Sequence, residues 1–365
     1  EVNDKISKGE KIYNFTIGDF DPREFPIPDL LKQYIIEEYQ NDQTNYPAAD
    51  GVPELRKAIS HLLKERGNLI YQPNEILVAG GARPLIYSVF RTLVDPGDTV
   101  IFATPSWNNN HYTYLNNAKP VVIETTPGQD FMPAAADIKE HLNGARLLAL
   151  CSPQNPTGTV FSKKGLEDIC DLVLEENRRR KKDEKPLYLM YDQIYWALTY
   201  DGIEHFDPVG LRPELREYTV YVDGISKSLA ATGVRVGWSM GPRMIIDKMK
   251  SILTHIGAWA PKAEQLATAR FLNQLPRYDD FLEIQKKKVS ERLRGFYDGI
   301  QSLKKKGFRV DAIAPQAAIY LTVQFDLSGM RTQDGQTLKN TKEVTKYLLD
   351  EAKLAIVPFY AFGAS

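Results

Sequence analysis

The 365-residue chain lacks most of the patterns that mark redox, metal-binding and membrane proteins. Its two cysteines, Cys151 and Cys170, stand in no metal-ligand or redox spacing, and its five histidines form no HxH or HExxH pair. No segment approaches the roughly 18 consecutive apolar residues that a membrane-spanning helix needs. We therefore expect no metal site and no membrane association, and we interpret both cysteines as small buried residues.

An excess of one charge is also missing. The 46 Lys and Arg residues balance 47 Asp and Glu residues, for a net charge of −1, so no overall positive field attracts nucleic acid. The first five residues show no basic-then-apolar signal pattern. These features predict a cytoplasmic protein whose partners are small molecules rather than nucleic acid.

Short apolar runs alternate with helical patterns between about residues 75 and 241. Seven apolar runs are predicted as strands: 76–79, 99–103, 121–124, 147–151, 187–191, 219–223 and 234–240. Helical patterns lie near 83–94, 107–117, 133–143 and 162–180. Continuous apolar strands separated by helices predict an α/β fold with a mainly parallel sheet covered on both faces. Ligands bind at the carboxyl ends of such strands.

The flanking segments predict a second, smaller domain. Residues 15–47 are rich in proline and are predicted as irregular, whereas 278–305 predict a long charged helix. Residues 307–323 and 342–357 contain strand and helix patterns. We expect three divisions of the chain: an N-terminal segment of the small domain (1–47), a large domain (48–270), and the remaining α+β small domain (271–365).

Lys227 is the first candidate for a reactive group. It follows a buried predicted strand, lies among small residues and has few carboxylates nearby in the sequence. A lysine in such surroundings loses its charge readily and acts as an amine nucleophile. Eight residues later, Arg235 is a permanent cation suited to a phosphate. Taken alone, Lys227 fits a surface loop equally well.

Polar side chains also follow two neighbouring predicted strands. Asp192 ends one apolar run and Tyr195 follows three residues later, so both side chains can reach one pocket. A carboxylate there could keep a pyridine nitrogen protonated, and a phenol could bind a ring oxygen. Taken singly, Asp192 also fits a helix N-cap and Tyr195 a core aromatic. Asn155 begins the turn NPTG after another strand, and most such turns have no chemical role.

Two further segments could bind an anion and a flat ring. The loop 79–83 (AGGAR) connects a strand to a helix, whose exposed N–H groups could bind an anion. It is weak evidence alone, and it is not the GxGxxG fingerprint of a nicotinamide site. Trp107 follows the next strand, where its indole could stack on a ring or simply pack in the core.

Together these motifs resemble the class I/II aminotransferases of fold type I, in the aspartate aminotransferase-like branch. The resemblance runs from Ile17-Gly-Asp-Phe20 through 46–56 (YPAADGVPELR) to 357–363 (VPFYAFG), and NPTG, DQIY and the Lys227–Arg235 spacing are its specific motifs. It implies an enzyme that moves an amino group from an L-amino acid to a 2-oxo acid in two half-reactions. It also implies the cofactor pyridoxal 5'-phosphate (PLP) and a homodimer with shared active sites.

The resemblance implies a role for each motif residue. Lys227 would form a Schiff base with PLP and Asp192 would pair with the ring nitrogen. Tyr195 and Asn155 would bind the ring hydroxyl oxygen. The implied stacking and phosphate contacts are Trp107, Gly81, Ala82, Arg83, Ser226, Arg235 and, from the neighbouring subunit, Tyr46. The implied substrate contacts are Gly18, Trp107 and Asn155.

The chain departs from the family pattern at several positions. Gln193 follows Asp192 where the family commonly has Glu, Trp196 follows the tyrosine, and Gly224 stands where a phosphate-contacting serine is common. Trp259 and the asparagines 108–110 would shape the substrate pocket or serve packing and a polar helix start.

The family's carboxylate-binding arginine follows the Phe-Gly motif, which here is Phe362-Gly363. We expect the natural protein to continue past Ser365 and to supply that arginine, with Arg23 as the alternative.

Two other functions stay open, because a fold does not determine a reaction. One is a PLP-dependent β-lyase or another amino-acid reaction at the same site, such as decarboxylation. The other is a PLP-binding regulator without catalysis, which the balanced charge and the lack of a DNA-binding extension disfavour. Stoichiometric consumption of a 2-oxo acid distinguishes transfer from elimination.

Overall fold

The computed structural model describes residues 2–107 and 109–364, so Glu1, Asn108 and Ser365 lie outside the described residues. The strands are β1 (Tyr13–Asn14), β2 (Ile76–Ala79), β3 (Thr99–Thr104), β4 (Lys119–Glu124), β5 (Ala145–Cys151), β6 (Tyr188–Asp192), β7 (Thr219–Gly224), β8 (Gly237–Met240), β9 (Val310–Ala312), β10 (Val323–Phe325) and β11 (Leu354–Ala355).

The α-helices are α1 (Val2–Ser7), α2 (Asp29–Gln40), α3 (Pro53–Gly67), α4 (Ala82–Leu93), α5 (Asn109–Leu115), α6 (Ala135–Lys139), α7 (Lys163–Arg179), α8 (Pro208–Leu211), α9 (Ile225–Ser228), α10 (Arg243–His255), α11 (Lys262–Leu272), α12 (Leu275–Lys305) and α13 (Thr341–Glu351). Short 3-10 helices span Pro73–Glu75, Pro127–Gln129, Pro213–Glu217 and Phe359–Phe362. Within this part of the chain, no helix is long and apolar enough to cross a membrane.

Seven strands form one mainly parallel sheet, as predicted, and their order is β2-β8-β7-β6-β5-β3-β4. Only β8 runs antiparallel to its neighbours, β2 and β7. Along β2, Ile76 and Val78 join one apolar cluster, while Leu77 and Ala79 join the other. Because successive strand side chains point to opposite faces, both faces of the sheet are covered. Burial on both sides explains why the strands other than the largely exposed edge strand β4 are continuous apolar runs.

The prediction of irregular structure throughout 15–47 is wrong, because α2 occupies residues 29–40. Pro28 stands at the N-cap of this helix, where its fixed backbone interrupts no helical hydrogen bond. Leu31 is fully buried in the main core, and Ile35, four residues later, packs against the same cluster. The prolines mark the approach to this helix rather than a loop.

The smaller unit combines both ends of the described chain. Strand β1 pairs in parallel with β11, and Tyr13 is opposite Leu354. Strands β9 and β10 form an antiparallel pair beside α12, the predicted long charged helix. The β1–β11 pairing joins the N-terminal segment to the C-terminal part of the chain. The division into domains and its boundaries at 47 and 270 stay predictions.

One segment of the smaller unit reaches the carboxyl ends of the large sheet, and we call residues 316–322 the crossing segment. The Ala317 N–H donates to the carbonyl of Gly158 at 2.9 Å, and the Ala318 N–H donates to that of Leu198 at 2.8 Å. The Thr322 hydroxyl donates to the carbonyl of Thr157 at 3.1 Å. These bonds hold the crossing segment against the loops that follow β5 and β6.

Candidate active site

The structure brings three predicted polar residues to one edge of the sheet. Asp192 is the last residue of β6, Asn155 follows β5, and Lys227 lies in α9 directly after β7. Strands β5, β6 and β7 are adjacent and parallel, with Cys151 opposite Asp192. Their carboxyl ends therefore form one site, as the strand order requires.

Lys227 is partly buried and its side chain points to the N-terminal segment. Its Nζ donates a hydrogen bond to the carbonyl of Gly18 at 2.7 Å and lies 5.7 Å from the ring centre of Tyr195. Burial lowers the pKa of Lys227, Asp19 opposes this shift, and two nearby arginines, Arg83 and Arg235, lower the pKa further. A lysine with a lowered pKa is more often a neutral amine, the form that attacks a carbonyl carbon.

Asp192 is a carboxyl group without a cationic partner. Burial raises its pKa to about 6, and a hydrogen bond from the Ile194 N–H, at 3.1 Å, opposes this shift. It forms no ion pair with any described residue. A positive charge placed beside it would restore the ionised form. Asp192 therefore fits the protonated nitrogen of a pyridine ring.

The opposite charge is in excess at the start of α4. The two terminal nitrogens of Arg235 donate to the carbonyls of Thr232 and Gly80, each at 2.7 Å, and Arg235 has a positive φ of 64°. Neither Arg235 nor Arg83 pairs with a carboxylate among residues 2–107 and 109–364. Such an unfavourable backbone conformation often indicates a functional constraint.

The Arg235 guanidinium lies directly on the loop that precedes α4. Gly81 has φ of +97°, and a Cβ atom there would lie 2.3 Å from Nη2 of Arg235. Ala82 is the first residue of α4, so free N–H groups point out of the helix end beside this cation. Ser226, which directly precedes Lys227 in the sequence, is buried. The cations, the helix end and the small residues fit a phosphate group.

Tyr195 is buried and is paired with a tyrosine that sequence analysis missed. Its hydroxyl lies 2.5 Å from the hydroxyl of Tyr320, and the two rings pack edge to face with centres 5.5 Å apart. A Cβ atom on Gly18 would lie 2.9 Å from the Tyr320 oxygen. Tyr320 stands in the crossing segment in an unremarkable apolar run, 125 residues after Tyr195. No local signal could have identified it.

Trp107 and Asn155 have free surfaces toward the site. The Trp107 side chain is 39% exposed, with the Arg83 guanidinium 5.4 Å from its ring centre and the Phe362 ring at 5.9 Å. The Asn155 side chain is partly buried and forms no hydrogen bond within the described part of the chain. Both are available to bind a flat ring or a substrate.

The other predicted positions lie further out. Tyr46 is 80% exposed, and its ring packs on that of Trp259 with centres 5.0 Å apart. Arg23 is also exposed and forms an ion pair with Asp21 at 2.6 Å. Within a single chain these residues lie on the surface.

Two of the residues that depart from the family pattern, Gln193 and Trp196, lie next to a buried carboxyl group. This group belongs to Asp223, which accepts a hydrogen bond from the Gly224 N–H at 2.7 Å and whose pKa burial raises far above its ordinary value. Of the cysteines, Cys170 is buried as expected, whereas Cys151 is partly exposed because it ends β5 at the site edge. The described residues contain no group of His, Cys, Asp or Glu side chains arranged to hold a metal ion.

Comparison with known proteins gives consistent results. The family model described as aminotransferase class I and II matches residues 10–365. The chain is 31% identical to the aspartate aminotransferase of Bacillus sp. (strain YM-2), over 99% of this chain and 87% of that protein. The crystal structure of the aspartate aminotransferase from Rhizobium meliloti has a TM-score of 0.91 and 28% identity, and covers 100% of this chain and 87% of that one. The Thermus thermophilus aspartate aminotransferase with maleate has a TM-score of 0.86 and 27% identity, with 99% and 87% covered.

Proposed function

The chain belongs to the class I and II aminotransferases, which use PLP, and we propose that Lys227 is the residue that carries this cofactor. It is an enzyme that moves an amino group from an amino acid to a 2-oxo acid. The comparisons do not favour the β-lyase or the non-catalytic regulator.

One observation carries the assignment of Lys227. Strands β6, β7 and β8 are adjacent, and each contributes one group at the same edge of the sheet. Asp192 ends β6 as a carboxyl without a cation, and Arg235 precedes β8 as a cation without a carboxylate. Lys227 follows the strand between them. A ligand that is cationic at one end and anionic at the other satisfies both groups and leaves its middle beside the lysine.

PLP has this distribution of charge, and when bound it accepts the electron pair released at the α-carbon of an amino acid. Asp192 keeps the ring nitrogen protonated, which preserves that capacity. Arg235, Ser226, Arg83 and the N–H groups of Gly81 and Ala82 hold the phosphate. Trp107 covers the ring, and Tyr195 and Asn155 bind the ring oxygen.

The amine of Lys227 also acts as the base of the reaction. Once the amino group of the substrate has displaced it from the cofactor, Lys227 is a free amine whose lowered pKa would let it move a proton between the substrate α-carbon and the cofactor. Gly18 and Asn155 lie at the substrate side of the site. Because the relatives are named aspartate aminotransferases, aspartate is the first amino donor to test.

The functional unit in this proposal is a cytoplasmic homodimer. Tyr46 is a large aromatic side chain with 80% of its surface exposed, and Trp259 beneath it has a buried indole N–H without a partner among the described residues. Exposed aromatic surface is typical of protein interfaces. In a dimer, the Tyr46 hydroxyl would reach the phosphate held by the other subunit.

Reduction with borohydride tests the proposal, because it converts a lysine Schiff base into a stable adduct that mass spectrometry locates. Lys227→Ala should yield no PLP adduct and no consumption of 2-oxo acid. Lys286→Ala is the matched control, since Lys286 is another partly buried lysine whose pKa burial lowers. An adduct at any other lysine in Lys227→Ala, with normal turnover, would contradict the assignment.

A further inference from the structure

We propose that Tyr320 is a positioning residue for the reaction: its hydroxyl donates a hydrogen bond to Tyr195 and thereby directs the single Tyr195 proton to the ring oxygen of PLP. This inference rests on the role proposed above for Tyr195. It concerns a residue that belongs to none of the sequence motifs.

The two hydroxyls form an isolated pair. Their oxygens lie 2.5 Å apart, and neither hydroxyl has another hydrogen-bond partner within residues 2–107 and 109–364. Tyr195 is 1% exposed, so its hydroxyl is not satisfied by bulk water. Burial raises the pKa of both phenols above their ordinary value, which keeps both protonated at neutral pH. The pair therefore contains two protons.

The backbone of the crossing segment holds Tyr320 in this place. Ala317 and Ala318 donate hydrogen bonds to the carbonyls of Gly158 and Leu198, at 2.9 and 2.8 Å. Ala318 has a positive φ of 60°, a sparsely populated conformation that these bonds maintain. On the other side, a Cβ atom on Gly18 would lie 2.9 Å from the Tyr320 oxygen. Tyr320 is confined from both sides before any ligand binds.

Counting protons determines which hydroxyl donates. Each phenol has one proton to give, whereas an ionised ring oxygen has none and can only accept. Tyr195 must therefore donate its hydrogen bond to the ring oxygen. It can then only accept from Tyr320, so Tyr320 is the donor of the bond between the two tyrosines. In such a chain each hydrogen bond strengthens the next. Removal of the Tyr320 hydroxyl should weaken the bond from Tyr195 to the cofactor without touching the cofactor itself.

The pH at which the PLP Schiff base gains its proton reports this bond. A weaker hydrogen bond leaves more negative charge on the ring oxygen, which attracts the proton of the neighbouring imine and raises the pKa of the Schiff base. We would measure this pKa by absorbance in PLP-loaded Tyr320→Phe, Tyr195→Phe and the double variant, without amino acid. Tyr200→Phe is the control, because Tyr200 is a buried tyrosine whose hydroxyl donates to the carbonyl of Ala318 in the same crossing segment.

Tyr195→Phe should raise the Schiff-base pKa most, and Tyr320→Phe should raise it by about 0.3 unit, because one hydrogen bond strengthens the next by roughly 10–30%. Tyr200→Phe should leave it unchanged. The double variant should match Tyr195→Phe, since Tyr320 acts through Tyr195. A shift in Tyr195→Phe with none in Tyr320→Phe, or additive shifts in the double variant, would overturn the inference alone. No shift in either single variant would overturn the proposed role of Tyr195 as well.

Discussion

Nη2 of Arg235 lies 2.3 Å from the position that a Cβ atom on Gly81 would take. Arg235, two residues before β8, therefore lies against the loop after β2, where its Nη2 donates to the Gly80 carbonyl at 2.7 Å, next to the start of α4. The phosphate-binding role of both residues can therefore be tested by adding one methyl group.

Gly81→Ala should displace Arg235 and lower the affinity for PLP by about 10- to 100-fold, because a hydrogen bond to a charged group contributes roughly 1.5–3 kcal/mol. Gly97→Ala is the matched control: Gly97 also has a positive φ, of 86°, but a Cβ there would meet nothing within 4 Å. Both variants place alanine at a positive φ, but only the first brings a methyl group against Arg235, so only the first should lose PLP in equilibrium dialysis. Equal affinities would show that Arg235 does not hold the phosphate.

Asp192→Asn should retain PLP but lose turnover, because a neutral amide cannot keep the ring nitrogen protonated. The loss should be about 10²–10³-fold, comparable to the removal of other groups that stabilise charge in a transition state. The measurement is the single-turnover rate with aspartate at saturating PLP. Asp207→Asn is the control, since burial also raises the pKa of Asp207, yet its partners are Tyr221 and backbone N–H groups. Near-normal turnover in Asp192→Asn would refute the assigned role.

The contribution of Asp192 to the stability of the PLP-free protein should decrease as pH rises from about 4 to about 6. Burial raises the pKa of Asp192 from 3.8 to about 6, so in this range the folded state holds a proton that the unfolded chain has released. The contribution of Asp192 to the free energy of unfolding then falls with increasing pH. The melting temperature of Asp192→Asn should rise relative to wild type over the same range, and saturating PLP should remove the trend. A constant difference between the two proteins would contradict it.

Gly18→Ala should reduce turnover, because the added methyl group displaces the Tyr320 hydroxyl from its place beside Tyr195; overpacking of this kind also costs about 1–3 kcal/mol of stability. The added methyl would lie 2.9 Å from that oxygen, but 3.4 Å from the nearest ring carbon. Tyr320→Phe removes the oxygen and leaves an ordinary contact. Turnover of Gly18→Ala/Tyr320→Phe should therefore return to the level of Tyr320→Phe alone. Failure of this rescue would place the effect of residue 18 elsewhere.

Tyr46→Phe should weaken PLP retention, and analytical ultracentrifugation of the wild type should give a dimer rather than a particle of 41.4 kDa. The phenylalanine preserves the packing on Trp259 and removes only the hydroxyl. Tyr114→Phe is the control, because Tyr114 is also 80% exposed but lies on α5. A fully active monomer would exclude the shared site.

Most of the sheet was predictable because every strand except the largely exposed edge strand β4 is buried on both faces and is a continuous apolar run such as 147–150. The residues at its carboxyl edge followed from strand order. Helix α2 was not predicted, because three prolines within the seven residues before it suggest a loop. Its helical structure depends instead on Leu31 and Ile35, which pack it against the main core.

Tyr320 was beyond local analysis for a different reason. Its role depends on hydrogen bonds between the crossing segment and loops more than a hundred residues earlier in the chain. The same holds for Asp192, whose raised pKa follows from burial and from the lack of a cation among the residues described. Sequence identifies the chemical group in such cases, and tertiary packing determines its state.

The position of β8 determines the order in which the strands can join the sheet while the chain is being synthesised. Strand β2 lies at the edge of the sheet and pairs with β8 alone, although about 160 residues separate the two along the chain. As the polypeptide leaves the ribosome, β3 to β7 can associate before β8, the only strand that pairs with β2, has been synthesised. The loop after β2 meets Arg235 only when β8 enters between β2 and β7. Capture of the phosphate therefore requires the last strand of the large sheet to be in place, and a nascent chain released before residue 240 would have a partial sheet and an incomplete phosphate site.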